Sequence, residues 1–73
     1  MNPHIEKALT HLSKADYVGY FDEVDKVISP APLCVQTTHS AHISMFTSGN
    51  RPQDFNQMLV VFAKYLNEIL LVM

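Results

Sequence analysis

"LCVQTTHSAHISMF", residues 33–46, must be read either as helix or as strand, and the choice separates an all-helical fold from a mixed one. Cys34, Thr38, Ala41 and Met45 recur at helical spacing. Leu33, Val35, Thr37, Ala41, Ile43 and Met45 fit strict alternation as well, and Val, Thr and Ile favour strands. Pattern alone leaves both readings open over 33–47, with a slight edge to helix. The flanks break the tie. In "FTSGNRPQDF", residues 46–55, Gly49 suits the left-handed position that follows a helix, and Pro52 suits the opening of the next one. Upstream, in "ISPAPLC", Pro30 disfavours helical geometry at Ser29 and ends the preceding segment, while Pro32 fits the first turn of a new helix.

The segments on either side are less ambiguous. Asn2 can cap a short helix, Pro3 suits its first position, and Ile5, Ala8, Leu9 and Leu12 fall on one face. The polar "SKAD", residues 13–16, then interrupts the pattern, and Asp16 is a good cap for a second helix in which Tyr17, Tyr20, Phe21, Val24, Val27 and Ile28 repeat at three and four. So short a connection predicts two antiparallel helices in contact, with "SKAD" as their elbow. From Phe55 onward, Met58, Leu59, Phe62, Leu66, Ile69, Leu70 and Met73 keep the helical period almost to the last residue. The chain therefore reads as one all-α domain over 1–73, a small four-helix up-and-down bundle with a long C-terminal helix. Its expected core is Leu9, Leu12, Tyr17, Phe21, Val24, Ile28, Phe55, Leu59, Phe62 and Leu66.

Seventy-three residues bury only about 60% of their unfolded surface, so stability is expected in the range of about 4–11 kcal/mol. Five basic and seven acidic residues give a net charge of −2, with no Lys/Arg cluster able to follow a phosphate backbone, which argues against nucleic acid as a partner. The start "MNPHIEK" has neither a basic leader nor an apolar leader core, and no apolar run approaches a membrane span. With a single cysteine, Cys34, an internal disulfide framework is excluded, and the expectation is a cytoplasmic domain that does not engage a membrane.

Chemistry-bearing residues are few. His39 and His42 would share a helix face, with Cys34 eight residues before His42, but two histidines and a cysteine with no nearby carboxylate fall short of a metal site. They read as exposed or capping histidines, and Cys34 as a small buried hydrophobe that reacts slowly with thiol reagents. His4 and His11 lie seven apart on the first helix and read as solvated, as do Asp22, Glu23 and Asp25. Gly19 and Gly49 are the only glycines, so no phosphate-cradling loop exists. No catalytic residue, cofactor or metal is expected.

The fourth helix carries more apolar surface than one core face uses. Val61, Tyr65 and Val72 form a second line about 100–150° from the Phe55/Phe62/Ile69 stripe, with Val60 and Leu71 beyond it. Either this helix is central and packed on several sides, or these five residues face a protein partner.

Taken together, "IEKALTHLSKADYVGYFDEVDKVI", the third segment and "SGNRPQDFNQMLVVFAKYLNEIL" resemble the small bacterial effector-associated domains of conflict systems, the class numbered eleven looking closest. Phe55 and Asn56 stand where that family's last helix opens with an aromatic-Asn-like pair. "LCVQTTHSAHISMF" departs from the polar third helix of the family, and Arg51-Pro52 replaces its usual Ser/Thr cap. The resemblance implies a non-catalytic adaptor, the N-terminal module of a bacterial immune signalling protein, which associates with the same or a similar helical domain to bring an effector to a sensor. Met1 suits that placement. A free-standing helical binder or inhibitor of an unrelated protein is the alternative, and a metal-binding miniprotein a third. "SKADYVGYFDEV" also resembles a tetratricopeptide turn, although a single hairpin cannot form a solenoid.

Overall fold

In the computed structural model of the chain, which describes residues 1–72, Asn2 caps the first helix by accepting the His4 and Ile5 backbone N–H groups on its side-chain oxygen. Four helices follow in order: α1, Pro3–Ser13; α2, Tyr17–Asp25; α3, Leu33–Ser48; and α4, Phe55–Leu71. No strand occurs among the described residues, so 33–47 resolves as helix. Met73, which the sequence pattern assigns to the last stripe, lies outside the described residues.

The elbow between α1 and α2 is a complete helix stop. Asp16 N–H donates to the His11 carbonyl at 2.8 Å and Ala15 N–H to the Leu12 carbonyl at 3.0 Å, the paired bonds of a Schellman motif. Ala15 holds the left-handed position, φ 56°, that glycine normally takes. Asp16 then serves the next helix, its Oδ1 accepting from Gly19 N–H at 3.1 Å while its Oδ2 sits 3.0 Å from His11 Nδ1. That pair lies directly over Gly19, where a Cβ would fall within 2.6 Å of both atoms. At the far end of α3, Gly49 takes the left-handed cap at φ 74° as its position predicts. Pro32 stands one residue before the first residue of α3, and α4 opens at Phe55 behind Asp54 rather than at Pro52. The period of α2 outlasts the helix itself: regular structure ends at Asp25, and Ile28 is buried from the turn that leads to Pro30.

The core gathers Ile5, Ala8 and Leu12 of α1, Tyr20, Phe21 and Val24 of α2, Val35 of α3, and Phe55, Leu59, Phe62, Ala63 and Leu66 of α4. Of the residues expected there, Leu9 and Tyr17 are only half-buried and pack at its edge. A radius of gyration of 11.3 Å matches the value of about 11 Å for a well-packed chain of this length. The backbone of α1 approaches α2 most closely and α4 next. Three polar ties cross the core. Tyr20 hydroxyl donates to the Leu59 carbonyl at 3.2 Å, Asn56 Nδ2 donates to the Leu12 carbonyl at 3.1 Å, and Asn2 N–H donates to Asn67 Oδ1 at 2.9 Å. Among the described residues, no helix is long and apolar enough to cross a membrane.

Two outcomes follow from these positions. Ala15→Gly removes the Cβ penalty of the left-handed conformation, about 1–2 kcal/mol, and gives back part of it as unfolded-chain entropy. The variant is expected to gain about 0.5–1 kcal/mol, visible as a higher urea midpoint at unchanged slope. Phe21→Ala is expected to cost about 3–5 kcal/mol and to leave much of the chain unfolded near room temperature by circular dichroism.

Candidate interaction surface

The helical reading of α3 holds, but the face it buries differs from the Cys34–Thr38–Ala41–Met45 stripe expected from apolarity. Cys34, Thr38 and Ala41 are exposed, and Val35, His39 and His42 point inward. Cys34 is thus a surface thiol rather than a buried hydrophobe, and the two histidines are core residues rather than exposed or capping ones. The reason is geometric. Val35, His39, His42 and Phe46 fall at i, i+4, i+7 and i+11, a helical line in which two imidazoles act as flat rings. Counting histidine as an aromatic would have revealed it.

His39, only 4% exposed, is fixed from three sides. Its Nε2 donates to Asp25 Oδ1 of α2 at 2.6 Å, its ring stacks on Phe62 of α4 with centroids 6.2 Å apart and planes 12° apart, and Phe21 lies tilted at 5.9 Å. His42, 6% exposed, meets the same Phe62 edge to face at 5.2 Å. Nδ1 of each imidazole is buried without a hydrogen-bond partner. Burial, reinforced by the neighbouring His39, holds the proton affinity of His42 below that of a free imidazole. Tyr17, Phe21, Phe46 and Phe55 continue the ring cluster at 5.5–5.7 Å, and the Arg51 guanidinium covers it 4.3 Å above Phe46. That cation–π contact pins the 49–54 connection, a role the sequence reading did not give Arg51.

The acidic group on α2 is not a uniform solvated face. Glu23 is buried and accepts from His4 Nδ1 at 2.9 Å and from Lys26 Nζ at 3.2 Å, while Asp22 and Asp25 are exposed. The His4 hydrogen bond, helped by Lys26 and opposed by desolvation, holds the Glu23 carboxyl below the usual range. His4 and His11 are half-buried, each against a carboxylate, rather than solvated. Among the described residues, no three His, Cys, Asp or Glu side chains gather as a metal site would require.

On the outer side of α4 the apolar line reaches the surface. Val61 and Tyr65 are 57% and 58% exposed, and Leu71 and Val72 are exposed near the helix end, whereas Val60 is half-buried against the core. Val61 and Tyr65 border a shallow groove of about 300 Å³ between α3 and α4, whose other walls are Thr38, His42, Met58 and Phe62. A second shallow hollow, of about 320 Å³, lies between α2 and α3 with Asp22 and Asp25 on its rim and Val18, Phe21, Ile43 and Phe46 in its walls. The α4 groove is the more apolar of the two, with no charged side chain in its lining. Comparison with protein-family models, with curated proteins and with solved structures finds no match for this chain.

Exposed on the outer face of α3, Cys34 is expected to react with an aromatic disulfide reagent at close to the rate of an unstructured thiol, a stopped-flow measurement on the native protein. For Glu23 the folded affinity for protons is the lower one. Its stabilising contribution is present above its ordinary value of 4.5 and disappears as the pH falls through the folded value. Urea midpoints measured between about pH 6 and pH 3 should fall steeply for the wild type and less so for Glu23→Gln.

Proposed function

We propose that this chain is a non-catalytic adaptor, an effector-associated helical domain arranged as an up-and-down bundle around a long C-terminal helix, which acts in the cytoplasm by associating with a second copy of itself or a like domain. The supporting observation is the pairing of Val61 and Tyr65, both more than half exposed, on a line of α4 that the chain's own core does not use. Half-buried Met58 extends that line along the groove, whose floor includes the core residue Phe62, and Leu71 and Val72 are exposed near the helix end. Contiguous apolar surface of this kind gains free energy when a partner covers it. Tyr65 suits the role of anchor, since its ring buries a large area at low entropic cost and its hydroxyl suits the wet edge.

Charge favours a second copy as the occupant. Lys64 and Glu68 are exposed beside the stripe, opposite in sign and one helical turn apart. In a two-fold, antiparallel apposition of two α4 helices, Lys64 of each copy would face Glu68 of the other, so the rim is self-complementary. Such a pair on a solvated rim sets register rather than affinity.

Sedimentation velocity over a concentration series is the test. The wild type should shift from monomer to dimer in the micromolar range. Tyr65→Ala and Val61→Asp should each weaken that shift by about tenfold or more, with helicity unchanged. A wild type that stays monomeric to high micromolar concentration, and does not bind a like domain, would overturn the homotypic reading and leave the free-standing binder in its place.

A further inference from the structure

We propose that His42 makes the seam between α3 and α4 an acid-released latch: with the ring neutral the seam is closed over Phe62, and a proton on the ring opens it. The latch opens into the same groove that a second copy is proposed to cover, so its test is read on monomeric protein, at concentrations below those of self-association.

A neutral imidazole has one N–H donor and one bare acceptor nitrogen, and surroundings decide which is which. Asp25 accepts at 2.6 Å from His39 Nε2, so that nitrogen carries a hydrogen, and Nδ1 of the same ring is buried without a partner. For His42 only Nδ1 is sealed without a partner, while the ring borders the groove. A hydrogen on Nδ1 would be a buried donor with no acceptor, which costs more than a buried lone pair, so the neutral ring carries its hydrogen on Nε2. Proton uptake then has one place to go. It adds an N–H at the sealed Nδ1 and a positive charge beside Phe62.

Among the described residues, no hydrogen-bond partner reaches His42 Nδ1 to take up that charge. The groups facing His42 from α4 are Met58, Val61, Phe62 and the phenol of Tyr65, and on its own helix Thr38 and His39. Asp25 of α2, the carboxylate in contact with this pair of rings, is engaged by His39. The lowered proton affinity of His42 agrees with this accounting.

The seam is also the place able to yield. α1 makes extensive backbone contact with both α2 and α4, whereas α3 makes little with α4, and its two imidazoles pack on Phe62. Local opening takes the least connected element first. A charged His42 swung into the groove regains water, and the loss is confined to α3.

Amide hydrogen exchange on the full chain tests this, read as protection factors so that the intrinsic pH dependence of exchange cancels. Between about pH 7.5 and pH 5, amides of Thr38–Met45 should lose protection by up to about tenfold per pH unit below the ordinary imidazole value of 6.5, while those of α1 hold. That window stays above 4.5, where Glu23 begins to titrate. His42→Phe, which keeps a ring against Phe62 but takes no proton, should abolish the α3 response. Protection in α3 that is independent of pH, an equal loss in α1, or an unchanged slope in a folded His42→Phe would each overturn the latch. Should that variant fail to fold, ¹⁵N shifts of the wild-type imidazole decide. A neutral ring protonated on Nε2 and titrating below 6.5 is expected, and the opposite tautomer or a free-histidine midpoint overturns the proposal.

Discussion

A phenol sealed inside a small protein must find an acceptor or forfeit the free energy its ring gains by burial, and Tyr20 meets that constraint with the backbone of another helix. Its side chain is the largest among those fully buried, and its hydroxyl donates to the Leu59 carbonyl at 3.2 Å. An unpaired hydroxyl at such a depth costs about 1–3 kcal/mol, so the bond fixes which part of α4 lies against α2. Burial also drives the Tyr20 hydroxyl's acidity far down, so it stays protonated, and a donor, at neutral pH and well above it. With α2 and α4 registered in this way, Asn56 of α4 can reach the Leu12 carbonyl at the end of α1, and Asn67 can receive the backbone of Asn2 at its start. Both ends of α1 are thereby held to α4 by side-chain amides, and the elbow between α1 and α2 is left no freedom to swing.

That elbow shows how a constraint can outrank local preference. Three residues must stop one helix and start the next, and Asp16 takes part in both tasks, donating from its backbone to α1 and capping α2 with its side chain. The left-handed residue falls on Ala15, where glycine would sit with less strain. The glycine that does occur stands four residues later. There the space is taken by His11 and Asp16, and any Cβ would have to displace the pair that closes the elbow. Two small residues, Ala15 in the elbow and Gly19 in the first turn of α2, thus answer different demands, one of backbone angle and one of volume.

Most of the fold was legible because α1, α2 and α4 advertise themselves through apolar residues at helical spacing, and their caps at Asn2 and Asp16 function as their side-chain chemistry implies. The third segment was legible only as a helix, through Gly49, and not as a face. Residue type misled twice in the same place. Cys34 is small and apolar and was placed inside, yet it stands on the outer side of α3; His39 and His42 are titratable and were placed outside, yet they are core rings. What decided the matter is a carboxylate fourteen residues upstream, Asp25, together with one phenylalanine on α4 that serves both imidazoles. A one-dimensional pattern does not contain that juxtaposition. Glu23 repeats the lesson, since its burial depends on His4 and Lys26 reaching it from two directions.

The outer face of α4 follows from the same economy of parts. A helix of 17 residues presents sides to α1, to α2 and, through Phe62, to the imidazoles of α3, and three neighbours in so short a chain leave one sector uncovered. Isolated exposed apolar side chains are ordinary on any small protein, and Val18 and Leu33 need no explanation. Val61 and Tyr65 differ because they line one groove together with Met58 of the same helix, so one partner surface could cover all three. None of the polar ties that set the helix register passes through that sector. That apolar stripe, lying outside the polar ties that hold the helices together, is the observation on which the proposed association with a like helix rests.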